Sequence, residues 1–159
     1  TTTADIARCE DAKPILLELA QDIGKRLTAQ KKYALKISVN ARSSKLQNTC
    51  WQTDLPIATR SPMIIADTAY RLFCESYDRI NPVRSLTVTA FSLVDSGTVC
   101  QSDLFTDTAR LDKMEKVDSC ILDIRNRFGD GMIKNAVLMS GLAVPKSKAV
   151  VSLPGSMLT

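Results

Sequence analysis

From Ala34 to Arg42 the chain alternates apolar and polar side chains: Leu35, Ile37 and Val39 interleave with Lys36, Ser38 and Asn40. Successive strand residues point to opposite faces, so this stretch predicts a half-buried strand with one wet, partly basic face. Whatever covers its apolar side must come from the segments around it. Upstream, Ile15, Leu16, Leu19, Ile23 and Leu27 recur at helical spacing. Asp11 is the expected N-cap of that helix, Pro14 falls in its first turn, and Lys25 and Arg26 suit its negative end.

After a Ser43-Ser44-Lys45 turn, residues from Gln47 to Leu55 read as a second strand. Thr49, Trp51, Thr53 and Leu55 share one face, with Asn48, Cys50, Gln52 and Asp54 on the other. Ser61-Pro62 is a helix start, and Ile65, Ala69, Leu72 and Phe73 stripe the helix to about Tyr77. A third strand is expected from Val83 to Leu93, with Leu86, Val88 and Ala90 opposite Ser85, Thr87 and Thr89. Asp95-Ser96-Gly97 predicts a hairpin into a fourth strand over Thr98 to Gln101. A closing helix from Ala109 to Phe128 carries Leu111, Met114, Val117, Ile121, Ile124 and Phe128, and Gly129 ends it.

This order predicts an α+β fold: a four-stranded, mostly antiparallel sheet with helices packed on one face and the other face open. The open face would carry Lys36, Ser38, Asn40, Arg42, Asn48, Gln52, Thr87 and Thr89. Hydroxyls, amides and a few cations there can donate to phosphate oxygens without reading sequence; a simply solvated face is the alternative. At 159 residues the chain is one domain's length, and 21 Lys plus Arg against 17 Asp plus Glu permits a phosphate-bearing partner without requiring one.

Several classes of chemistry are disfavoured. There is no histidine, and the five cysteines (Cys9, Cys50, Cys74, Cys100, Cys120) contain no C-x-x-C pair. Histidine acid–base catalysis is excluded, and zinc spacing and an activated thiol nucleophile are lacking. The cysteines read as reduced thiols of a cytoplasmic protein. No apolar run reaches membrane-spanning length, and the N-terminus lacks a secretory signal. The first residue is Thr1 rather than Met, which suggests a fragment or a processed chain.

One short segment stands apart. Gln101-Ser102-Asp103-Leu104-Phe105 sets two large apolar side chains beside a polar anchor, a pattern that can fill a groove on a partner. It resembles the Gln-x-Ser/Asp-Leu-Phe string with which bacterial polymerases and repair proteins hold the sliding clamp. The alternative is that Leu104 and Phe105 close the fourth strand into the core.

From about Asp5 to Gly141, element order and local strings resemble the little-finger domain of the Y-family lesion-bypass DNA polymerases, of the DNA polymerase IV and UmuC/ImpB type. The resemblance is carried by four stretches: the opening helix from Leu16 to Ala20 through Lys25-Arg26-Leu27, Asn81-Pro82-Val83-Arg84-Ser85-Leu86-Thr87-Val88, Gln101 to Phe105, and the run from Asp118 to Gly129 ending Ile124-Arg125-Asn126-Arg127-Phe128-Gly129. Two departures are visible. Cys50-Trp51-Gln52 stands where the family often has Thr/Ser-Arg-Ser/Gln, and Ser102 stands where Leu is commoner.

The resemblance implies a linker from the thumb over residues 1–10, the domain over 11–141 and a tail over 142–159. It implies a partner in primer–template DNA, gripped by Lys36, Ser38, Asn40 and Arg42, then Asn48, Gln52, Ser85, Thr87 and Thr89. Arg84 is a further candidate for that grip; it has the inward parity of Leu86, so the alternative is that it braces the strand end through a salt bridge. The resemblance also implies clamp docking through Gln101, Leu104 and Phe105, and a polymerase core elsewhere in the parent. Mg²⁺ would be needed only in the palm of that core, so this piece is expected to hold no cofactor and catalyse nothing alone. The competing expectation is a protein–protein adaptor that binds the clamp or another repair partner without touching DNA.

Overall fold

The computed structural model describes residues 5–6, 8–78, 81–95, 108–129 and 131–139. Its elements run α1 (Cys9–Ala29), β1 (Lys32–Ser43), β2 (Asn48–Thr59), α2 (Pro62–Ser76), β3 (Val83–Asp95) and α3 (Thr108–Phe128), then a 3₁₀ turn over Ala136–Met139. Both pairings of β1 are antiparallel and the sheet order is β2-β1-β3, so the alternating strand lies at the centre. Three strands are therefore described where four were expected. The residues of the fourth, Thr98 to Gln101, lie outside the described ones.

The helices α1 and α2 pack against each other and against one face of the sheet. Ile37, Val39, Ala41, Leu86 and Val88 from the strands meet Leu16, Ile65, Ala69 and Phe73 from the helices, all buried. Phe73 is the largest fully buried side chain. It stacks on Tyr77 at 4.9 Å between ring centroids and takes the edge of Trp51 at 6.2 Å. Offset and edge-to-face contacts of this kind add to the area these rings remove from water. Ile6, in the leading segment, also joins the core at 1% exposure and exchanges two backbone hydrogen bonds with Val83 (2.8 and 2.9 Å).

Four local expectations are revised. Asp11 does not cap α1: the helix begins at Cys9 after Arg8, with no side-chain cap, and Asp11 sits in the first turn. Cys9 and Ala12 are both buried, so packing extends the helix past the capping signal and leaves Pro14 inside it. The strand β2 continues beyond Leu55 to Thr59 through an irregularity. Register holds to Asp54 opposite Lys36 and resumes at Thr59 opposite Ala34, so residues 55–58 face the single residue Leu35. Pro56 lies in that stretch and has no N–H to give a ladder.

The apolar stripe of α3 is only partly covered. Leu111, Met114, Ile121 and Ile124 are half-buried, whereas Val117 and Phe128 are exposed. Finally, Ser61 precedes α2 as expected but makes no cap hydrogen bond. Its hydroxyl donates to Asp118 Oδ2 of α3 at 2.6 Å.

Candidate nucleic-acid interface

Strand register brings the sequence-selected residues together in rows across the sheet. Arg42 lies between Asn48 and Ser85, Asn40 between Cys50 and Thr87, and Ser38 between Gln52 and Thr89. A fourth row sets Lys36 between Asp54 and Phe91. All share the parity opposite Ile37, Val39 and Ala41, so they occupy the face turned away from α1 and α2. Side chains in directly opposed positions stand about 5 Å apart, and strand residues two apart about 6.8 Å apart. The result is a lattice of hydrogen-bonding groups drawn from three separate segments of sequence. Arg42, Asn40, Asn48, Gln52, Thr87 and Thr89 are exposed, and Ser38 and Ser85 are half-buried between their neighbours.

Arg84 departs from its expected parity. The β1–β3 register shifts between Arg42, opposite Ser85, and Ser43, opposite Val83. This bulge turns Val83 into the core, at 2% exposure, and leaves Arg84 exposed at the end of the face. Gln101, Leu104 and Phe105 lie outside the described residues.

Three members of the face, Cys50, Phe91 and Asp54, had no assigned role from sequence. Phe91 extends the alternation one position beyond Thr89 and is the single aromatic side chain in the four rows. Asp54 stands directly opposite Lys36, and its Oδ1 lies 2.8 Å from the ammonium Nζ. Alternation placed Asp54 on this face; only the register could show which cation it meets.

A second polar cluster lies at the other side of the molecule, where α3 meets the start of α2. Tyr33 donates its hydroxyl to Glu115 Oε1 at 2.9 Å, and Arg60 pairs with the same carboxylate. The Arg60 guanidinium lies 5.0 Å from the Tyr33 ring centroid. Burial raises the Asp118 carboxyl above its ordinary range, the Ser61 hydroxyl opposes that shift, and the charge of Glu115 adds to it. These groups border a cleft of about 340 Å³ that Leu17, Gly24, Pro62, Met114 and Ile121 also line. These contacts join Glu115 and Asp118 of α3 to Tyr33, Arg60 and Ser61. Among the described residues no group of three or more Cys, Asp or Glu could hold a metal ion. Nor is any helix among the described residues long and apolar enough to cross a membrane.

The chain is 30% identical over 139 residues to a DNA polymerase IV of Acetivibrio thermocellus, covering 87% of this chain and 35% of the relative. To a DNA polymerase IV of Clostridium acetobutylicum it is 34% identical over 142 residues, again 87% of this chain and 34% of the relative. A third, from Alkaliphilus oremlandii, is 27% identical over 146 residues. The chain thus spans about a third of the length of the curated relatives it matches. The family model of the impB/mucB/samB C-terminal domain matches residues 1–104, nearly two thirds of the sequence. The chain belongs to the impB/mucB/samB family, of which it carries the C-terminal domain.

Proposed function

We propose that this domain grips duplex DNA for a lesion-bypass polymerase of the polymerase IV type, laying its open sheet face along the sugar-phosphate backbone. The observation that carries the reading is the lattice itself: hydroxyls, amides and cations from β1, β2 and β3 share one face, opposite the helices. Ser, Thr, Asn and Gln side chains donate to phosphate oxygens, and Arg42 adds a fixed positive charge with several donors. Backbone oxygens are the same at every base pair, so such a grip ignores sequence and lets the duplex advance. The lone Phe91 makes a poor platform for unstacked bases, which favours duplex over single strand. Nucleotidyl transfer, and the Mg²⁺ it needs, belong to the palm of the parent polymerase.

A grip built from neutral donors and few cations is weak, and a tether to the clamp would offset that by raising local concentration. The segment Gln101-Ser102-Asp103-Leu104-Phe105 has the composition for this role, with Leu104 and Phe105 as apolar anchors and Gln101 as the polar one.

Fluorescence anisotropy of labelled primer–template DNA, titrated with this domain at several salt concentrations, tests the reading. Binding should fall log-linearly with salt and be equal on unrelated sequences; Arg42→Gln should reduce the slope by about 0.9. Absence of binding at low salt would refute it and favour the adaptor. Alanine at Leu104 and Phe105 should abolish clamp binding at unchanged thermal stability; a loss of folding would instead place both in the core.

A further inference from the structure

Charge is unevenly distributed over the sheet face. At the end formed by the β1–β2 turn, Arg42 has Asn48 and Ser85 as its opposed residues, neither of them charged. No carboxylate of the described residues is paired with it. At the other end, Lys36 is held by Asp54, and beyond it Lys32 stands opposite Asp95. Both side chains of the Lys36–Asp54 pair are open to solvent, at 47% and 72% exposure. The contact therefore reflects their directly opposed positions rather than burial.

An exposed pair of this kind is weakly held and readily exchanged. Its carboxylate nevertheless neutralises the ammonium and takes one of the three N–H donors open to a phosphate oxygen. We propose that Asp54 is an internal competitor for phosphate: it holds Lys36 out of the grip and confines strong backbone contact to the Arg42 end. The inference rests on the DNA-gripping reading of this face. Its consequence is a domain that holds one end of its footprint firmly and the other loosely, with Asp54 setting how tightly the whole face binds.

Anisotropy titrations of primer–template DNA over about 50 to 200 mM salt separate the possibilities. Asp54→Asn should tighten binding by up to about eightfold at 0.1 M salt and steepen the salt slope by about 0.9, the effect of one added phosphate contact. Lys36→Gln should leave the salt slope unchanged in the native background and should cancel the added slope when made in Asp54→Asn. That non-additivity is the signature of competition, because independent contacts give additive effects. If Asp54→Asn binds no tighter while Arg42→Gln still flattens the slope, the competitor role fails and the gripping face stands. If neither variant changes DNA binding, the face is not the footprint and both readings fall.

Discussion

Gly24 lies where α1 passes the beginning of α2, and its hydrogen stands where any other residue would carry a methyl. A Cβ built there would fall 2.7 Å from Pro62 Cγ, 3.1 Å from Pro62 Cδ and 3.0 Å from the Arg60 carbonyl oxygen. Carbon–carbon contacts are most favourable at about 3.5–4.0 Å, so the proline ring would have to retreat by about 1 Å. Pro62 is the first residue of α2, and its ring is locked to the backbone, so the ring cannot yield without the helix start. For Gly24→Ala, the gain in helix propensity is about 1 kcal/mol, and a ring that cannot yield puts the overpacking cost at about 2–3 kcal/mol, the upper part of its usual range. The expected net effect is destabilisation by about 1–2 kcal/mol, which for a chain of this size lowers Tm by about 2–8 °C. Thermal unfolding followed by circular dichroism measures it. Gly131→Ala, with open space around its Cβ, serves as the reference. A Gly24→Ala protein as stable as the native one would refute the argument, because the crossing would then have slack.

Two further outcomes follow from the core and the α3 cluster. Because Asp118 has a raised pKa in the fold, its stabilising contribution is complete below the unfolded carboxylate value and is lost as pH rises through the folded one. Asp118→Asn should therefore have the higher Tm at pH 7, with the difference shrinking as pH falls below the carboxylate range; a pH-independent difference would refute this. Phe73→Ala should cost about 3–5 kcal/mol in denaturant unfolding monitored through Trp51, since it empties a fully buried site under two aromatic rings. A loss below about 1 kcal/mol would mean that Trp51 and Tyr77 close the gap.

The alternation in β1 made both faces of the central strand legible, because period two is a property of adjacent residues and needs no knowledge of neighbours. The same holds for the stripe of α2 and for Gly129, which takes φ of 100° at the end of α3, with its N–H on the Arg125 carbonyl. What escaped reading depends on pairing between distant segments. The register that sets Asp54 against Lys36, the shift that turns Val83 inward and Arg84 outward, and the partner of the Ser61 hydroxyl 57 residues away are of this kind. Asp11 failed as a cap for a related reason: the core reached back to Cys9 and Ala12, and burial outweighed a capping preference of about 1 kcal/mol. On the candidate site, sequence identified the wet face, and the structure supplied the rows that decide which charges meet.

The bridge between Ile6 and Val83 also has a mechanical consequence. Tension on the chain ahead of Asp5 enters the sheet through a clip of two hydrogen bonds and one buried side chain. The clip fastens to the first residue of β3, next to Arg84 and Ser85, so this load path ends at the Arg42 edge of the open sheet face. Three residues after Ile6 the backbone enters α1 at Cys9, so a pull strong enough to slip Ile6 from its seat passes next to the start of that helix. The leading segment thus shares any load between the Arg42 edge of the sheet and, once it slips, the first turn of α1.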